Sequence, residues 1–132
     1  MYFPDNLLYH PEHTWVRVEG DRATVGITDH AQKALGDVVF VELPKVGRRL
    51  TSGGGFGSVE STKSVSELFS PVAGEVVEVN ASLEDAPEAI NDDPYGAGWM
   101  IAVRLESEFD ASGLLEAEAY RVRVSEGAAD SE

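Results

Sequence analysis

Lys63 is the residue whose setting points most directly to chemistry. It sits in Glu60-Ser61-Thr62-Lys63-Ser64-Val65-Ser66-Glu67, between two runs with strand character, and the chain has only two other lysines, Lys33 and Lys45. From Thr51 to Val103 it is the sole positive charge. A single amine at a turn between strands has the form of an attachment point. The turn gives exposure, the strands give rigidity, and the flexible stem gives reach. The competing reading is a solvated turn lysine with no role, and on the lysine alone that reading is the commoner one. Lys63 is not placed to act as a nucleophile by itself. Activation needs burial or neighbouring cations, whereas its nearest charges in sequence are Glu60 and Glu67. On the attachment-point reading, a separate ligase would have to deprotonate it and supply an activated acyl group.

No other pattern in the chain offers catalysis. There is no G-x-S-x-G, no H-E-x-x-H and no P-loop. His10, His13 and His30 lack metal-ligand spacing with a further partner. They read as surface or packing residues, with His13 a candidate for ordering the N-terminal strand. Gly53 to Gly57 lacks the strand–glycine–helix context of a nucleotide site and reads as close packing or a turn. Asp92-Asp93 lacks the spacing of a calcium loop. Neither a catalytic residue nor a metal site is predicted.

With 132 residues the chain is expected to form one domain, residues 1–132, with a core over about 9–120 and a frayed tail at 127–132. Its composition, 42% hydrophobic and 26% charged, is that of an ordinary globular domain able to bury a core. The absence of cysteine excludes disulfides, thiolate metal sites and a cysteine nucleophile. A formal net charge of −14 argues against nucleic acid and membrane partners and suits partners with basic surfaces. Met1 to Asn6 has no basic region or long apolar run, so neither a signal nor a transit peptide is expected. A cytoplasmic location and a monomer are expected.

The elements that must hold Lys63 are mostly strands. Trp15 to Glu19 alternates as a half-buried strand, Gly20-Asp21 turns, and Ala23 to Ile27 returns. Thr28-Asp29 offers a helix cap, and Gly36 would end that short helix. Further strands are predicted over Asp37–Leu43, Phe56–Ser61, Ser64–Phe69, Val76–Asn80 and Trp99–Leu105. Asn91 to Gly98 reads as loop throughout. From Asp110 a helix is expected, with Leu114, Leu115 and Tyr120 as apolar contacts. Gly36-Asp37-Val38-Val39-Phe40-Val41 is echoed by Gly74-Glu75-Val76-Val77-Glu78-Val79, which suggests two similar sheet halves with the lysine hairpin between them. The expected fold is mainly β, a flattened sandwich or barrel of two small antiparallel sheets with short edge helices and a C-terminal helix.

Four ordered segments carry a family resemblance that spans roughly Tyr9 to Tyr120. They are Val25-Gly26-Ile27-Thr28-Asp29-His30-Ala31-Gln32, Leu35-Gly36-Asp37-Val38-Val39-Phe40-Val41-Glu42-Leu43-Pro44, Val59-Glu60-Ser61-Thr62-Lys63-Ser64, and Asn91-Asp92-Asp93-Pro94-Tyr95-Gly96-Ala97-Gly98-Trp99. Together they resemble the H proteins of the glycine cleavage system. The resemblance implies a lipoyl-domain fold with lipoate on Lys63, and Glu60, Ser61, Thr62, Ser64 and Glu67 as the flank met by a lipoate ligase or a lipoyl/octanoyl transferase. It implies three further partners. The P protein, a pyridoxal-phosphate glycine dehydrogenase, passes an aminomethyl group to the lipoyl disulfide. The T protein, an aminomethyltransferase, moves the one-carbon unit to tetrahydrofolate, and dihydrolipoamide dehydrogenase (the L protein) reoxidises the dithiol. The implied role is a non-catalytic carrier. By the same resemblance Glu12, Thr14 and Glu67 line a cleft that shelters the loaded arm. The family usually has His-Glu-Trp where this chain has His13-Thr14-Trp15, so one expected carboxylate is missing. Glu12 is the nearest substitute and shares a face with Thr14 if strand alternation holds. Glu12 and Glu67 read equally as solvated surface acids.

Other carriers fit less well. Biotin acceptors show Met-Lys-Met, and lipoyl domains of 2-oxoacid dehydrogenases show Asp-Lys, whereas Lys63 is flanked by Thr62 and Ser64. A lipoyl-relay or interaction protein of the same family, without glycine cleavage activity, is the alternative that the Thr14 departure keeps open.

Overall fold

The computed structural model describes residues 2–106 and 113–130, with side chains described as far as residue 125. Ten strands and four helices follow in the order β1 (Leu8–Tyr9), β2 (Thr14–Glu19), β3 (Arg22–Ile27), α1 (Asp29–Leu35), β4 (Val38–Glu42), β5 (Arg49–Leu50), β6 (Gly55–Ser61), β7 (Val65–Phe69), β8 (Gly74–Val79), α2 (Ser82–Asp85), α3 (Ala89–Asp92), β9 (Ile101–Leu105), β10 (Leu115–Glu116) and α4 (Ala117–Asp130). All strand pairs are antiparallel. They make a seven-stranded sheet, β10-β1-β2-β3-β9-β8-β5, and a three-stranded sheet, β4-β6-β7. The larger sheet exceeds the expected small one because three two-residue strands, β1, β5 and β10, extend its edges.

Strand alternation sends one face of each sheet into a shared core. Val16, Val25, Ile27, Val76, Ile101 and Val103 from the larger sheet meet Val41, Val59 and Leu68 from the smaller. The alternate residues of the first strands build a second cluster on the opposite face. There Tyr9 and Trp15 pack with Phe3, Leu7, Ala117 and Tyr120, so the N-terminal segment and α4 cover that side. The Trp15 indole lies over Gly26, its cross-strand partner, where an added Cβ would sit 2.8 Å from the ring. Its Nε1–H donates to the Pro94 carbonyl at 3.0 Å.

Several sequence expectations need correction. Asn91 and Asp92 belong to α3, not to a loop. The last core strand begins at Ile101, after Trp99 and Met100. The C-terminal helix begins at Ala117, with Leu115 in β10, while Asp110 lies outside the described residues. Its backbone is helical to Asp130, and residues 131–132 lie outside the described residues. The echoed strands β4 and β8 fall in different sheets, with the lysine hairpin between them in sequence. No helix among the described residues is long and apolar enough to cross a membrane.

Candidate functional site

The β6–β7 hairpin displays Lys63 because one buried serine ties its tip. Ser61 is turned inward, and its Oγ accepts the Lys63 and Ser64 N–H groups, each at 3.1 Å. The Ser61 N–H donates to the Ser64 carbonyl at 2.8 Å. Ser61 therefore shapes the turn from within, whereas Glu60, Thr62, Ser64 and Glu67 are exposed around it. The Thr62 N–H donates to the Asp37 carbonyl at 3.1 Å, fastening the hairpin to the connection between α1 and β4.

That connection is itself pinned. Asn91 Nδ2 donates to the Gly36 carbonyl at 2.8 Å and to Gln32 Oε1 at 3.1 Å. Asn91 Oδ1 accepts the Val38 N–H at 2.8 Å. α1 starts on Thr28, whose Oγ1 accepts the Ala31 N–H, and ends on Gly36, whose N–H returns to the Gln32 carbonyl. Gly36 has φ +81° and ψ −157°, a region essentially reserved for glycine. The Lys63 stem lies across it, with Cε 3.0 Å from where a Cβ at residue 36 would sit. The amine thus has a bare backbone track at its base.

Beside the hairpin lies an open cleft of about 340 Å³, between α1 and the free edge of β7. Glu12, His13, Ile27, His30, Ala31 and Ala34 are among the residues of one wall, and Ser64 to Leu68 form the other. Thr14 does not reach it. His13 has φ +73°, which breaks the alternation that would have paired Glu12 with Thr14. Thr14 is fully buried, and its Oγ1 donates to the Phe69 carbonyl at 2.9 Å, bridging the two sheets. Glu12 is exposed at the rim. Glu67 borders the cleft, but its carboxylate is laid across Gly55 of β6.

Sequence reasoning did not place His13, His30 or the small pair Ala31 and Ala34 at this cleft. The i, i+3 spacing of two alanines on one helix face was the available signal. The His13 and His30 rings lie 4.8 Å apart. Tyr120 Oη lies 2.7 Å from His13 Nδ1 and 2.8 Å from Thr28 Oγ1. Thr28 is fully buried, so its hydroxyl proton needs an acceptor, and Tyr120 Oη is the one at hand. The Tyr120 proton then goes to His13 Nδ1, which leaves the His13 proton on Nε2. Burial, and then the adjacent His30, hold the His13 imidazole below its ordinary range, and burial does the same for His30. His30 Nδ1 is buried without a partner. Burial pushes the Tyr120 hydroxyl up to about 12, so it stays a neutral donor. The wall facing the hairpin is therefore uncharged apart from the rim.

Residues 7–127 match the family described as glycine cleavage H-protein. The chain belongs to that family. It is 58% identical over 123 residues to a glycine cleavage system H protein of Rubrobacter xylanophilus, covering 93% of this chain and 95% of that one. It is 55% identical over 126 residues to one of Brevibacillus brevis, covering 96% of this chain and all of the relative. A crystal structure of a glycine cleavage system H protein from Mycobacterium marinum superposes with a TM-score of 0.84 at 42% identity, covering 92% of this chain and 98% of that one. Family membership agrees with the fold and with the reading of the sequence.

Proposed function

We propose that this chain is the lipoyl carrier of a glycine cleavage system, with Lys63 as the acylated residue. The observation that carries the proposal is the seating of Lys63. Its amine stands exposed at a hairpin tip, its stem crosses a glycine that leaves room for it, and a cleft opens alongside. These residues fit a long acyl arm, since a side chain at residue 36 would fill the track that the stem occupies. When bound, the lipoyl group supplies a disulfide that takes up and hands on a one-carbon amine unit with a pair of electrons.

The chain's own residues do the holding. Ser61 and Asn91 fix the base of the arm through the hairpin tip and the α1–β4 connection. Ile27, Ala31, Ala34 and Leu35 offer an apolar wall that excludes water from a labile cargo. Glu12 at the rim is the carboxylate available to a cationic amine. Bond-making belongs to the partners, namely the glycine decarboxylase, the aminomethyltransferase, the dihydrolipoamide dehydrogenase and the acylating enzyme, and this chain serves as the carrier among them.

Reconstituted glycine decarboxylation, run with mass-verified lipoyl protein and the isolated decarboxylase, tests the proposal. Glycine-dependent turnover that requires the lipoyl form is expected. A fully lipoylated sample without turnover would return the chain to the relay reading.

A further inference from the structure

Among the described residues, His13 is the one non-glycine residue with positive φ, at +73°. Backbone held in this region gathers at functional sites. Three bonds fasten the residue. Its N–H donates to the His10 carbonyl at 2.9 Å, its carbonyl accepts the Thr28 N–H at 3.1 Å, and its Nδ1 lies 2.7 Å from Tyr120 Oη. The imidazole is thereby fixed between the N-terminal segment, α1 and α4, and it borders the cleft with the His30 ring 4.8 Å away. The titratable and charged groups around it are His10 and Glu12 on its own segment, His30 on α1, Tyr120 and Arg123 on α4, and Glu67 on the facing wall from β7. Burial and then His30 hold the ring below its ordinary range, against the pull of Glu12, so the ring is uncharged at neutral pH. A proton added to it would settle beside Glu12. No ion pair among the described residues engages that carboxylate.

We propose, resting on the reading that the loaded arm brings a cationic amine to Glu12, that His13 is a specificity residue of the cleft: as a neutral ring it admits the cation, and as an imidazolium it takes Glu12 for itself and excludes the cation. Two positive charges in one small cleft repel each other. The wall that holds His13 offers one carboxylate, because Glu67 is on the other wall and lies across Gly55. Proton and cationic cargo are therefore antagonists, and linkage makes the antagonism reciprocal: whatever the proton does to the cargo, the cargo does to the proton. The hydrogen-bond chain adds a second consequence. A proton on His13 Nδ1 turns that nitrogen from acceptor to donor. Tyr120 must then donate to Thr28 Oγ1, and the buried Thr28 hydroxyl loses its acceptor. Thr28 caps α1, so the same proton loosens the start of the helix that forms the wall. An uncharged arm end, whether disulfide or dithiol, has no charge for His13 to oppose. The cleft thus sorts arm ends by charge, and does so only while His13 is neutral.

The test is a nuclear magnetic resonance titration of the histidine rings from pH 8 to 5, on mass-verified lipoyl protein in three forms. These are the oxidised lipoyl form, the dihydrolipoyl form, and the form freshly loaded with the aminomethyl group by glycine and the decarboxylase. Loading should lower the His13 midpoint by about 0.5 or more on the pH scale. The two uncharged forms should titrate alike, and His10, which does not line the cleft, should move less than His13. In the loaded form, the signals of Ser64 to Leu68 should return to their unloaded positions as pH falls through the His13 midpoint. His13→Gln, which takes up no proton at this position, should keep them in place to lower pH. An equal His13 midpoint in loaded and unloaded protein overturns the proposal, and so does an equal fall in the dihydrolipoyl form. The wild-type titration decides the matter even where His13→Gln does not fold. Failure of the underlying reading looks different: a fully lipoylated sample that takes up no aminomethyl group refutes the carrier role, and the proposal falls with it.

Discussion

Replacing Gly36 by alanine perturbs the base of the arm at one atom, and the structure separates the two consequences. The first is conformational. At φ +81° and ψ −157° the residue occupies a region that costs an L-amino acid about 1–3 kcal/mol. The second is steric, because the new Cβ would meet Lys63 Cε at 3.0 Å. That contact is with the far end of a flexible stem that can swing into solvent, so it should contribute less than about 0.5 kcal/mol. The backbone term therefore wins, and Gly36→Ala should destabilise by about 2 kcal/mol in all. For a domain of this size that is a fall in melting temperature of about 6–10 °C. Thermal unfolding of Gly36→Ala, Lys63→Ala and the double variant measures both terms. The double variant should lose nearly as much as Gly36→Ala alone. In the lipoylated protein the same substitution should also displace the arm's base, read as a change in nuclear magnetic resonance shifts along Ser64 to Leu68. An unchanged melting temperature would refute the reasoning about the backbone, and a coupling larger than the single effect would refute the ranking of the two terms.

Other perturbations have equally definite outcomes. Asn91→Ala removes two donated bonds and leaves the Val38 N–H without its acceptor, so it should cost about 3 kcal/mol and speed amide exchange at Val38. Ser61→Ala frees the Lys63 and Ser64 N–H groups, and should cost about 1–2 kcal/mol while raising relaxation-detected motion at residues 62–64. Burial depresses the folded-state values of His10, His13 and His30 below their ordinary 6.5. The unfolded chain then binds more protons just below that value, so stability should be level above about pH 7 and fall as pH drops below about 6.5. Melting curves from pH 8 to 5 check the sign, and His13→Gln with His30→Gln should flatten the fall.

What could be read from the sequence was local. Thr28 and Gly36 announce the ends of α1 because cap chemistry depends on near neighbours, and the structure gives the bonds that this chemistry requires. The strand around Trp15 was legible from alternation and the one around Val25 from the turn that precedes it. The cleft was not, because it is made by α1 facing the edge of β7, and no short-range pattern reports that approach. Thr14 shows the limit most clearly. Alternation placed it beside Glu12, but the positive φ of His13 turns the chain and sends Thr14 inward to the Phe69 carbonyl. Its departure from the family pattern is therefore a bond between sheets, and not a gap in the cleft wall. Asn91 sits in a segment rich in turn formers, and its three long-range bonds, which decide its role, were invisible in sequence.

The central claim is that Lys63 carries the arm, and peptide mapping by mass spectrometry tests it most directly. Protein produced with a lipoylation system should carry one lipoyl group, confined to the peptide containing Lys63 and absent from Lys63→Arg. A group found on Lys33 or Lys45, or retained by Lys63→Arg, would contradict the account.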